Sequence, residues 1–149
     1  FREWRLLRQL RAWGLPVPTP VAARYRRAGL FYRADLITAE LPVRRTLAQA
    51  LQQASLPDET WHAIGQCVGS LHARGVQHAD LNAHNLLVGA SNDIYALDFD
   101  RGRIRARGTW ERAVLARLQR SLRKVTTGQP AERFTEANWQ ALLAGAGAG

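Results

Sequence analysis

His78-Ala79-Asp80-Leu81-Asn82-Ala83-His84-Asn85 is followed, eighteen residues after Asp80, by the aspartate of Leu97-Asp98-Phe99-Asp100. An aspartate, an asparagine five residues later and a second aspartate at that distance suit a phosphoryl-transfer centre. One carboxylate can orient a hydroxyl and accept its proton. The amide and the other carboxylate offer hard oxygen ligands to magnesium carried by a nucleotide.

The flanking pattern supports that chemistry. Trp61, Ile64, Val68 and Leu71 recur at helical spacing within 57–74, and they predict a long helix that buries one stripe. Pro57, Asp58 and Glu59 suit its start and Gly75 its end. Leu86-Leu87-Val88 and Ile94-Tyr95-Ala96-Leu97 read as a small hairpin across Gly89-Ala90-Ser91-Asn92-Asp93. A helix leading into the loop and a hairpin leaving it bring Asp80, Asn85 and Asp98 to one mouth.

Upstream, Phe1, Trp4, Leu7 and Leu10 mark a helix over 1–13. Gly14 to Pro20 should break it and form a stiff connector. Strands are expected at 21–26 and 30–41, with a turn at Ala28-Gly29, and a short helix over 46–53. Downstream, Trp110, Val114, Leu118 and Leu122 predict a helix to Val125. A last helix is expected over 136–143, with 145–149 as a flexible tail.

The chain has 149 residues and a formal charge of +9, from 21 basic and 12 acidic side chains; Lys124 is the one lysine. Such a surplus favours an anionic partner, or else reflects a solvated basic surface. The single cysteine, Cys67, excludes an internal disulfide and sits in an apolar helical pattern, as a buried structural thiol would. No apolar run approaches the roughly 20 residues that span a bilayer, and no secretory signal is visible. There is no methionine and the first residue is Phe1, so a longer parent chain is expected.

The opening motif resembles the protein-kinase signature H-R-D-L-x-x-x-N followed by D-F-G. The resemblance implies an α+β, protein-kinase-like two-lobe fold. Residues 1–41 would be the remainder of the N-lobe, one helix plus a strand pair. Residues 42–149 would be a mainly helical C-lobe with catalytic loop 78–85, a small hairpin and metal-binding segment 98–100. It assigns Asp80 as the base, Asn85 and Asp98 as Mg2+ ligands, and His78 as an architectural residue. Glu3 would orient a nucleotide-gripping lysine. That lysine and the glycine-rich phosphate loop would precede Phe1, so these 149 residues alone are expected to be inactive. Thr38-Ala39-Glu40-Leu41 falls where a hinge presents main-chain groups to adenine, which makes Glu40 and Leu41 nucleotide-binding candidates. A metal cluster of His78, Asp80 and His84 has no recognised ligand spacing, and His62 and His72 read as ordinary helix residues.

Departures from protein kinases point to a different acceptor. Ala79 replaces the arginine that docks a phosphorylated activation loop. Asn82 replaces the usual lysine, Asp100 the final glycine of D-F-G, and no A-P-E follows. FREWRLL, GLPVP-x-PVAAR, YRADLIT, HADLNAHN and LDFDRGR, spanning 1–103, together resemble the bacterial 3-deoxy-D-manno-octulosonic acid (Kdo) kinases of the lipopolysaccharide kinase group. That resemblance implies transfer of the ATP γ-phosphoryl group to the 4-hydroxyl of Kdo on a lipid A precursor. It also implies a peripheral location on the cytoplasmic side of the bacterial inner membrane, against an anionic surface, with no nucleic acid as partner. The motifs specify no oligomeric state. Arg101, Arg103, Arg105 and Arg107 alternate after the metal aspartate; if extended, they would share one face, suited to sugar or lipid phosphates. The arginines of the helix over 110–125 either lie against headgroups or form the solvated back of a core stripe. Two other readings share the motif: another small-molecule kinase, such as an antibiotic or heptose kinase, and a non-catalytic nucleotide-binding remnant.

Overall fold

The computed structural model describes residues 2–149, except for the side chains of Ala28 and Tyr32. Phe1, expected in the first helical stripe, lies outside them. The architecture is α+β: five α-helices and three two-stranded antiparallel sheets among the described residues.

Helix α1 (Arg2–Ala12) buries Leu6, Leu7 and Leu10, while Trp4 is only half-buried and carries the Arg8 guanidinium 4.9 Å above its ring. Strands β1 (Pro20–Ala28) and β2 (Phe31–Thr38) form a hairpin closed by Gly29-Leu30. Between helix and hairpin, the proline-rich connector is a piece of the core. Leu15 and Val17 are buried, and the Pro16 carbonyl accepts the Ala96 N–H at 2.9 Å. Proline's missing donor leaves only carbonyls for such pairing, and this one is used.

Helix α2 (Leu47–Gln53) starts on a capping box between Thr46 and Gln49. Helix α3 (Asp58–Ala73) buries the expected stripe of Trp61, Ile64, Val68 and Leu71. It ends at Gly75, whose φ of +69° is left-handed. A Cβ there would also overlap the Arg105 carbonyl, and the Gly75 carbonyl accepts the Arg105 N–H at 2.8 Å. That contact seats the short pair β3 (Val76–Gln77) and β6 (Arg103–Ile104). The predicted small hairpin forms as β4 (Leu86–Val88) and β5 (Ile94–Ala96). Helix α4 (Trp110–Val125), a 3-10 turn (Ala131–Arg133) and α5 (Glu136–Ala146) complete the chain. A single hydrophobic cluster runs from Leu6 on α1 to Leu142 on α5. Thus α1 and the connector, assigned by sequence to the unit 1–41, share their core with the helices of 42–149. The β1–β2 hairpin instead leaves Val21, Phe31 and Ile37 exposed.

The flexible tail expected at 145–149 needs correction. Gly145 and Ala146 form the last turn of α5, and the helix closes with Gly147. A Cβ on Gly65 would overlap the Leu142 carbonyl, and one on Gly145 would overlap the His62 carbonyl. Small residues on both helices let α3 and α5 touch backbone to backbone, which a reading of residues 145–149 as a small-residue tail overlooks. Gly65→Ala should therefore destabilise the protein by about 1–3 kcal/mol or more through overpacking. Urea denaturation checks this, with the exposed Ala144→Ser as a control expected within about 0.5 kcal/mol of the parent.

Candidate active site

The loop between β3 and β4 is anchored by its apolar residues and wired by its polar ones. Leu81 and Ala83 are fully buried. The Ala83 carbonyl accepts the Ala48 N–H from α2 at 3.0 Å, and the Ala83 N–H donates to Ser121 Oγ of α4 at 3.0 Å. Above these anchors the Asp80 carbonyl accepts two side-chain amides, Asn82 Nδ2 at 3.0 Å and Asn85 Nδ2 at 2.9 Å. Asn82 Oδ1 in turn accepts the His84 N–H at 2.8 Å. With its nitrogen engaged, Asn85 has only its amide oxygen left to offer a metal.

His78 joins this loop to the segment that carries Asp98. Its Nδ1 accepts the Asp80 N–H at 3.2 Å, and its Nε2 lies 2.7 Å from the Leu97 carbonyl. Accepting at Nδ1 and donating from Nε2 requires the neutral ring. Burial pushes its pKa down, which favours the same state. The ring packs on Phe99 with centroids 4.8 Å apart. Leu97 N–H donates to the Asn85 carbonyl at 2.8 Å, a second tie between the two segments. Asp98 follows with φ of +61°, a left-handed conformation uncommon outside glycine. Glu3 reaches the same segment from α1, its Oε1 accepting the Phe99 N–H at 3.3 Å. Burial pushes the Glu3 carboxyl above the usual range, and the charges of Asp100 and Asp98 add to this, against the lowering bond from Phe99.

Asp80, Asp98 and Asp100 line one cleft of about 350 Å³, together with Arg101 and Arg117. Asn85 oxygen and the Asp98 carboxylate are the hard donors that magnesium takes from a protein when phosphates and waters complete its shell. Among the described residues no group of three or more His, Cys, Asp or Glu is placed to hold a metal. A cluster of His78, Asp80 and His84 is therefore not formed, and both His78 nitrogens are already bonded. A second cleft is lined by Pro18, Glu40, Leu41, Leu87 and Leu97 among others. Apolar side chains of Val43, Leu87 and Leu97 line it beside Leu41. The Glu40 carboxylate is held by Arg44, which leaves Glu40 its backbone to offer there.

The alternating arginines meet different surroundings. Gly102 N–H closes a turn onto the Phe99 carbonyl at 2.9 Å, and Arg103 and Ile104 form the short strand that follows it. Arg101 lines the acidic cleft; Arg103 pairs across to Gln77 in β3. Arg105 donates to Gln77 Oε1 at 3.1 Å, and Arg107 grips Glu111 through Nε and Nη2, both at 3.0 Å. The side chain that sequence reasoning left on a solvated helix back is Arg117. Its Nη1 donates to Asp80 Oδ1 at 2.9 Å, with the two side chains 51% and 61% exposed. At that exposure the pair contributes only about 0–1 kcal/mol, so it is easily exchanged. The signal was present: Arg117, Arg120, Ser121 and Lys124 lie at i, i+3, i+4 and i+7, one stripe of α4.

The model of the lipopolysaccharide kinase (Kdo/WaaP) family matches residues 1–145. Among curated proteins, the chain is 42% identical over 143 residues to a 3-deoxy-D-manno-octulosonic acid kinase of Photobacterium profundum, covering 96% of this chain and 60% of the relative. The corresponding kinase of Pasteurella multocida is 41% identical over 149 residues, covering 97% and 62%. That of Vibrio vulnificus is 39% identical over 145 residues, covering 97% and 61%. The chain thus spans about three-fifths of the length of the curated relatives it matches.

Burial also pushes the His72 pKa down, where its ring meets Trp110 edge-on at 5.1 Å. It pushes the Cys67 thiol up to about 12, so that thiol is inert at neutral pH. For His72 and His78 the folded pKa lies below the unfolded value of about 6.5, so the unfolded chain binds protons first as pH falls. Their stabilisation is complete above about pH 6.5 and drains away as pH drops below it towards their folded pKa values. Glu3, raised and half-exposed, has the opposite sign at lower pH. Thermal melts by circular dichroism should give a lower midpoint at pH 5.5 than at pH 7.5. An unchanged midpoint would mean that both rings charge freely in the fold.

Proposed function

This chain belongs to the lipopolysaccharide kinase (Kdo/WaaP) family, and on that premise we propose that its protein transfers the ATP γ-phosphoryl group to Kdo. The acceptor is the 4-hydroxyl of Kdo on a lipid A precursor. The observation that carries the reading is the single cleft lined by Asp80 and Asp98, with Asn85 tied to both of their segments.

Asp80 aligns the acceptor hydroxyl and takes its proton as the new O–P bond forms and the bond to the departing ADP oxygen breaks. Asn85 and Asp98 would hold Mg2+, whose charge offsets that of the phosphates. Glu3 has two tasks in this reading: it receives the Phe99 N–H, and it orients a phosphate-gripping lysine of the upper lobe. That lobe includes α1 and the β1–β2 hairpin, and adenine enters the slot beside Leu41. The basic surplus supports a peripheral site on the anionic cytoplasmic face of the inner membrane. Among the described residues no helix is long and apolar enough to cross a membrane.

The test uses the protein from the complete open reading frame, with labelled ATP and Kdo-bearing lipid A precursor. Label should appear on the lipid; label on a free heptose supplied in a parallel assay, with none on the lipid, would favour the small-molecule kinase reading instead. Asp80→Ala should lower the transfer rate by about 10²–10⁴-fold while nucleotide binding persists. Asp98→Ala should weaken Mg2+-dependent nucleotide binding itself. Undiminished turnover in the Asp80 variant would remove it from the role of base.

A further inference from the structure

The acidic cleft has a basic neighbour. A groove between the catalytic loop and α4 is lined by Asn82, His84, Arg117, Arg120, Ser121 and Lys124. Three of these are cations and none is a carboxylate, whereas the cleft on the other side of Arg117 contains three aspartates. Arg117 lines both, at the point where the charge changes sign. The stripe is aimed and held by Ser121, whose hydroxyl accepts the Ala83 N–H. From Arg117 to Lys124 it runs about 10 Å along the helix, at 1.5 Å per residue.

Asn82 contributes no charge, although it lies two residues after the base, and its side chain is spent bracing the loop. The positive charge nearest Asp80 therefore comes from another element. Arg117 uses one guanidinium nitrogen on Asp80, and its other N–H groups have no partner among the described residues. An arginine fork with open donors, beside the base, is matched to a carboxylate on whatever brings its hydroxyl to Asp80. A sugar acid carries such a group within one ring's width of its hydroxyls.

We propose that this groove is the anion subsite for the acceptor, in which Arg117 exchanges the Asp80 carboxylate for the carboxylate of the sugar acid. The exchange seats the acceptor and frees Asp80 to meet its hydroxyl. Arg120 and Lys124 keep the potential positive behind the bound group. The proposal rests on the reading of the site as a sugar-acid kinase.

Equilibrium binding tests it apart from turnover. Free Kdo and its carboxamide are titrated by NMR into the full-length protein and into Arg117→Gln, whose melting should be near the parent's because the pair is exposed. The parent should bind the acid about 10–100-fold tighter than the carboxamide. Arg117→Gln should bring that ratio close to one by weakening the acid alone. A ratio that survives the substitution, or an equal loss for both ligands, overturns the proposal. So does inorganic phosphate displacing Kdo at concentrations below those of Kdo itself, which would make the groove a phosphate site. Label transfer measured in parallel separates the two readings. An Arg117-dependent preference without transfer upholds the subsite and sinks the kinase; transfer without that dependence does the reverse.

Discussion

The buried imidazole of His78 holds the site together. It receives the Asp80 N–H on one nitrogen and gives its own N–H to the Leu97 carbonyl. One side chain thereby sets the distance between the segment bearing Asp80 and the segment bearing Asp98. Because the ring is buried against Phe99, neither bond competes with water, and the neutral tautomer is the one that satisfies both. Asp98, next after Leu97, is left in a backbone conformation that only such over-determination sustains.

Around that tie the loop is braced by α2 through Ala48 and by α4 through Ser121, and the Asp98 segment by α1 through Glu3. A rigid frame with few mobile parts is what in-line phosphoryl transfer demands, since most of its catalysis is positioning. The polar groups divide by sign across the frame. Carboxylates collect in the cleft of Asp80, Asp98 and Asp100, and cations collect along α4, with Arg117 at the boundary.

Much of this was legible in the residues. The stripe of α3, the Gly75 stop, the hairpin from Leu86 to Ala96 and the span of α4 followed from periodicity and caps, because they are local properties of the chain. Two oversights came from long-range contacts. Gly145 read as tail because its partner, the His62 carbonyl, is on another helix. The connector's extended shape was foreseen, but not that Ala96 would take up the Pro16 carbonyl. Within α1, Trp4 gave way to Leu6 in the buried stripe.

By itself, the sequence determined the identities and spacing of Asp80, Asn85 and Asp98, the elements that deliver them, and the family in which that combination occurs. Those features depend on chain-local geometry and on the chemistry of each residue type, which the order of residues already contains. Only the tertiary structure decided that Asn85 ties its amide nitrogen to the Asp80 carbonyl, that Glu3 accepts the Phe99 amide, and that Arg117 from α4 meets Asp80. Each depends on packing between segments up to 96 residues apart. The core sets those distances, and no periodicity along the chain encodes them.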